Sequence, residues 1–131
     1  MRLLLDTHIW LWSRLEPERL KATVVQELQN PASELWLSPL SIWELILLVE
    51  RRRLSLEPNA GAWVSTAVAK LSYREAAVTH EVALEARLVN LAQRDPIDRL
   101  LAATARVYDL TLVTADERLM GVRGLRVLAN R

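Results

Sequence analysis

Four carboxylates in this chain each open a helical segment. They are Asp6 in LLLDTH, Glu44 in SIWEL, Asp98 in RDPIDRLLAATA and Asp116 in LVTADERL. Acids spread this far along a sequence meet in space when each follows a parallel strand or caps the helix after it. A crevice that collects several carboxylates cannot keep all of them ionised without a counter-charge. Mg²⁺ or Mn²⁺, which take oxygen ligands, are the usual counter-charge. The chemistry this arrangement would serve is metal-assisted phosphoryl transfer.

Each acid also has a purely structural explanation. Asp6 is a good helix N-cap. Ser41-x-x-Glu44 has the form of a capping box, in which the glutamate satisfies the cap's own amide. Asp95 and Asp98 both sit at one helix start, where negative charge suits the dipole. We assign Asp95 as the cap and Asp98 as the functional acid. Thr114-x-x-Glu117 is a second capping box, which leaves Asp116 over and projecting from the first turn. Singly these acids are weak signals. Two of them at strand ends, together with the others, point to one site.

The elements that would position them alternate between strand and helix. Arg2–Leu5 reads as a short buried strand, and a helical turn begins at Thr7. Leu20, Val24 and Leu28 lie on one helix face, stopped by Asn30-Pro31. A strand is expected at Leu35–Ser38, then a helix over Ser41–Arg53. Another helix starts near Asn59. A third strand is expected at Ala76–Val78, and a helix capped by Thr79 runs to about Ala92. Asp95-Pro96 opens the next helix, with proline in its favoured first position. Leu110–Val113 reads as a strand, Ala115–Met120 as a short helix and Leu125–Leu128 as the last strand. Strands that are apolar throughout, rather than alternating, imply an α/β fold: a central parallel sheet of about five short strands flanked by helices in three layers. Ligands bind such sheets beyond the carboxyl ends of the strands, where strand order reverses.

Bulk properties set limits. The 131 residues suit one domain over 1–131, and 51% apolar with 25% charged residues describe an ordinary globule. A formal net charge of +1 gives no argument for nucleic acid. With no cysteine, disulfides, thiolate zinc sites and a cysteine nucleophile are excluded, and a cytoplasmic location fits. No stretch approaches the roughly 20 apolar residues of a membrane span.

Four phrases carry a family resemblance: Asp6-Thr7-His8-Ile9-Trp10, Ser41-x-Trp43-Glu44, Asp95-Pro96-Ile97-Asp98-Arg99-Leu100-Leu101-Ala102-Ala103 and Val113-Thr114-Ala115-Asp116-Glu117-Arg118-Leu119. In that order they resemble the PIN-domain ribonucleases, specifically the VapC toxins of type II toxin–antitoxin pairs. The resemblance implies a PIN-like fold and a Mg²⁺-dependent endoribonuclease, with Mn²⁺ as a substitute. Asp6, Glu44, Asp98 and Asp116 would then be the catalytic, metal-holding quartet. Thr7, Thr114, Arg99 and Arg118 would meet the RNA. It also implies a small antitoxin partner whose C-terminal segment wraps the toxin, and a homodimer or a toxin–antitoxin hetero-oligomer. Gln93, Ile97 and Thr104 depart from residues common in the family.

Other side chains are open to interpretation. His8 is expected to turn away from Asp6 and bond locally. Arg94, with Arg99 and Arg118, is near the expected site, whereas Arg51, Arg52 and Arg53 read as dipole complementation at a helix end. Trp43 and Leu47 form a second apolar stripe on their helix, which Trp10 and Trp12 could join as a partner surface. A dehalogenase-like phosphatase would need a second aspartate where His8 stands and a late lysine, and no lysine follows Lys70. A receiver-type phosphoacceptor domain fails for the same missing lysine. The remaining alternative is a catalytically silent PIN-fold module that binds RNA or protein.

Overall fold

Leu3, Leu4 and Leu5 are each at most 1% exposed although they are consecutive, so both faces of their strand are covered. In the computed structural model, which describes residues 1–70, 72–91 and 95–131, this strand is the centre of a sheet. The strands are β1 (Arg2–Leu5), β2 (Glu34–Leu37), β3 (Arg74–Glu75), β4 (Thr111–Thr114) and β5 (Arg126–Ala129). The order is β3-β2-β1-β4-β5 and all four pairings are parallel.

Successive side chains on a strand point to opposite faces, and the two cores divide accordingly. Leu4 and Leu112 face one layer with Leu101, Ala102 and Ala105 of helix α6 (Pro96–Tyr108), against which α5 (His80–Ala86) packs. Leu3, Leu5 and Val113 face the other layer, built from α1 (Thr7–Leu15), α2 (Ala22–Gln29), α3 (Pro39–Glu50) and α4 (Ala60–Lys70). Each fully buried leucine contributes about 1.5–3 kcal/mol relative to exposure. The alanines on α6 let that helix lie close over β1 and β4. Its C-terminal turn ends at Asp109 in the left-handed region (φ 57°), where the amide of Leu110 returns to the carbonyl of Ala105 and the chain drops directly into β4. Aspartate tolerates that conformation better than most residues.

Strand order reverses at β1. From it the chain builds outward through β2 and β3, then crosses back to place β4 on the other side. The carboxyl ends of β1 and β4 therefore flank the switch point, and Asp6 and Thr114 stand there.

Several boundaries differ from the sequence expectation. Helix α3 starts at Pro39, with Ser38 as its cap: the Ser38 hydroxyl accepts the Leu40 amide at 3.0 Å. Ser41 lies inside the first turn and is buried, so the expected Ser41–Glu44 capping box does not form. Nor does the Thr114–Glu117 box. Asp116 caps a short 3₁₀ turn over Glu117–Leu119 in place of the expected helix, and Glu117 instead pairs with Arg131. The third strand comes earlier than Ala76–Val78, with Ala76 adding one last bond to Leu37. Thr79 caps α5 as expected, but the described helix ends at Ala86; Ala92 lies outside the described residues.

The revised cap gives a stability test. Ser38→Ala should cost about 1 kcal/mol, as loss of a helix cap does. Glu44→Gln, more than a turn past that cap, should leave the thermal midpoint unchanged. Melting curves followed by circular dichroism check both, and an equal loss in the two variants would restore the capping role of Glu44.

Candidate active site

Asp6 ends β1 and caps α1. Its Oδ1 accepts the Thr7 amide at 2.7 Å, and its Oδ2 accepts the Thr114 hydroxyl at 2.6 Å. The second bond ties the end of β1 to the end of β4. The Thr114 hydroxyl in turn accepts the Asp116 amide at 3.0 Å, so one buried side chain sets the positions of two acids. Asp98 enters from the first turn of α6, whose cap is Asp95: Asp95 Oδ1 accepts the amides of Ile97 and Asp98 at 3.0 and 3.3 Å. Glu44 comes from α3.

All four candidate acids line one crevice of about 310 Å³, together with Asp95, His8, Trp12, Ala115 and Arg118. A larger volume beneath α1 and α2 is lined mainly by apolar residues and carries no such chemistry. The Arg118 guanidinium spans two of the acids. Its Nε donates to both oxygens of Asp116 at 3.0 and 3.1 Å, and its Nη2 donates to Asp98 Oδ2 at 3.0 Å.

Charge crowding shows in the acids' proton affinities. Burial, followed by repulsion from Asp95, Asp6 and Asp116, pushes Asp98 up to about 7 against the weaker pull of Arg118. Burial also raises Asp6, offset in part by its bonds from Thr114 and Thr7. Asp116 is held below its ordinary value, chiefly by Arg118. Two buried or half-buried carboxyls are thus poorly tolerated as anions, while a third has its own cation.

The donors present are hard oxygens, which suits Mg²⁺ or Mn²⁺ and not a thiophilic metal. Among the described residues, however, no three acidic or imidazole side chains stand gathered closely enough to hold an ion as they are. The Arg118 fork lies between Asp98 and Asp116, so an ion there would require the guanidinium to withdraw.

The other sequence-predicted site residues fall in different places. Thr7 and Thr114 are fully buried and cannot touch RNA as the sequence reading proposed. Their bonds to Asp6 make them positioners of the acid. Arg99, one residue past Asp98, is absent from the crevice wall, whereas Arg118 is part of it. Gln93 and Arg94 lie outside the described residues. Trp10 is wholly in the core and is not available to a partner, while Trp43 is 52% exposed. Three crevice residues were missed as site residues. Asp95 is both a cap and a fifth carboxylate. His8 and Trp12 form a tilted aromatic pair with centroids 5.9 Å apart on the crevice wall. Their i,i+4 spacing after Asp6 was the available signal.

A switch-point crevice lined with acids on a five-stranded parallel sheet defines a class of protein, and the comparisons agree with it. A PIN-domain model matches residues 3–125. The chain is 35% identical over 121 residues to Ribonuclease VapC22 of Mycobacterium tuberculosis, covering 92% of this chain and 91% of that protein. The structure of VapBC2 from Rickettsia felis bound to a promoter DNA fragment superposes with a TM-score of 0.75 at 14% identity, over 98% of both chains. A toxin–antitoxin complex from Klebsiella pneumoniae gives 0.66 at 18% identity, also over 98% of both. The chain belongs to the PIN-domain family. Within it, the chain is of the VapC type.

A carboxyl raised in the folded state binds its proton more tightly there than in the unfolded chain. The anionic fold is therefore penalised as pH rises between the ordinary value of 3.8 and about 7. In chelator-treated protein, Asp98→Asn should remove much of the fall in thermal midpoint across that window. At pH 7 it should melt roughly 4 °C higher than the parent, the shift that about 1 kcal/mol gives a domain of this size. Parallel pH–melting curves that stay superimposed would refute the crowding of Asp98.

Proposed function

We propose that this protein is a Mg²⁺-dependent endoribonuclease, the toxin of a type II toxin–antitoxin pair, acting in the cytoplasm. The single observation that carries the reading is the convergence of Asp6, Glu44, Asp98 and Asp116, from four separate parts of the chain, in one crevice at the sheet's switch point. The name of its 35% identical relative supports the activity, and the toxin–antitoxin complex among its structural relatives supports the pairing.

Asp6, Asp98, Asp116 and Glu44 would hold Mg²⁺, or Mn²⁺ in its place. When bound, such an ion supplies Lewis-acid chemistry at a phosphodiester. The chain's own contribution is positional. Thr7 and Thr114 lock Asp6 in one rotamer, so an acid from β1 and an acid following β4 keep a fixed relation. Burial and its acidic neighbours push Asp98 up to about 7, so a cation held beside it would favour its ionised form. His8 and Trp12 offer a face on which an unstacked RNA base would lie. Arg118, the described cation of the crevice wall, would meet a phosphate once released from the two acids it bridges.

The partner surface is read from α3, where Trp43 is exposed beside a helix already packed on its other side. Trp43 is the kind of large residue that anchors interfaces. A small antitoxin would cover it and, by bringing a basic side chain to the acids, inhibit the nuclease. Light scattering on the isolated chain separates this use from a homodimer.

Two measurements test the activity. Cleavage of single-stranded or loop RNA should stop on adding EDTA and return with Mg²⁺, and a silent binding module would show no such cleavage. Asp6→Asn should lower cleavage by at least about 100-fold, the cost of losing a preorganised charge in an active site. Its melting temperature should stay equal or rise, because a crowded negative charge is removed. A folded Asp6→Asn protein that cuts RNA at the parental rate would remove Asp6 from the site.

A further inference from the structure

The crevice holds its carboxylates in two different ways. Asp6 is fixed by donors that cannot leave, a backbone amide and a buried hydroxyl. Asp98 and Asp116 are joined instead by one long side chain, Arg118, which is 41% exposed. Its attachment is uneven. Toward Asp116 it is clamped, because Asp116 Oδ1 also accepts the Arg118 backbone amide at 3.0 Å and the side chain folds back onto the same carboxylate. Toward Asp98 it reaches across from a different element through Nη2.

A guanidinium fork and a divalent ion compete for the same lone pairs. Planar, multidentate donation satisfies carboxylates well. The two cations also repel at this range. An ion held by Asp98 and Asp116 would therefore have to displace the fork.

We infer that Arg118 is an internal counter-ion, which neutralises Asp98 and Asp116 until a divalent cation displaces it. This rests on the metal-dependent reading above and adds a regulatory property to it. The ion-free chain is self-compensated, metal loading must overcome a built-in competitor, and the displaced guanidinium becomes free for a substrate phosphate only once the ion is in place. Binding of the ion and availability of the phosphate contact are then one event. The competing view makes Arg118 a permanent structural ion pair that the ion leaves undisturbed.

The test is Mn²⁺ binding to the RNA-free chain, followed by the loss of the free-ion paramagnetic resonance signal, for the parent, Arg118→Ala and Arg118→Gln. Removing one positive charge from beside a divalent ion should tighten binding by about tenfold in both variants. Thermal melts give an independent readout. In EDTA both variants should melt below the parent, having lost the counter-charge. In saturating Mn²⁺ that deficit should close, because the ion now supplies it. Circular dichroism confirms the fold, and Arg118→Gln keeps most of the side chain's length should the alanine variant fold poorly. Unchanged or weaker Mn²⁺ binding in the folded variants would overturn the counter-ion role and leave the nuclease reading standing. A parent protein that binds no Mn²⁺ sensitive to Asp6→Asn would overturn both.

Discussion

Repulsion between carboxylates is the constraint around which this molecule is arranged. Five of them line one crevice, and each desolvated charge there raises the cost of the next. A fold that gathers such groups gives up stability locally and must recover it in the layers behind the site. Here the recovery comes from β1, whose three leucines are buried on both faces of the sheet. The crowded crevice is therefore mounted on a strand packed on both faces.

The link between site and scaffold is the hydrogen bond from Thr114 to Asp6. It crosses from β4 to β1 at the point where the sheet reverses its order, with both residues buried. Two strands that are neighbours only because of the crossover thereby present their terminal acids in one fixed geometry. Register does the rest: Leu5 lies opposite Val113, which leaves Asp6 opposite Thr114.

Much of this was legible in the sequence. Uninterrupted apolar strands separated by helical stretches implied a covered parallel sheet, and that is the fold. Asp95-Pro96 was read correctly as a cap followed by proline in the first helical position. The same signal stands at Ser38-Pro39 and was passed over in favour of Ser41, because Ser41-x-x-Glu44 has the outward form of a capping box. Local motifs compete, and the proline decided the outcome by fixing where the backbone turns helical. Thr114 and Glu117 misled in the same way: Thr114 is committed to Asp6 through a tertiary bond that no local pattern reports. As a sequence residue Arg118 reads as a substrate contact, but its engagement with Asp98 joins α6 to the turn after β4. Sequence spacing carries no trace of such a pairing. Trp10 and Trp43 show a similar limit, since each lies on a helix rich in apolar residues and only the packing of α1 against α3 and α4 decides which is buried.

The acids also differ in what the backbone does for them. Asp6, Asp95 and Asp116 each accept at least one main-chain amide at the start of a helical turn, where the peptide dipoles favour negative charge. Such bonds stabilise the anion without a mobile partner. Asp98 spends its own amide as a donor to Asp95, and its described hydrogen-bond donor is the side chain of Arg118. Burial and its acidic neighbours push it up to about 7. Asp6, Asp95 and Asp116 are thus set by the scaffold, and Asp98 is left to be balanced by the cation beside it. That division leaves Asp98 with a counter-charge supplied by a side chain rather than by the backbone.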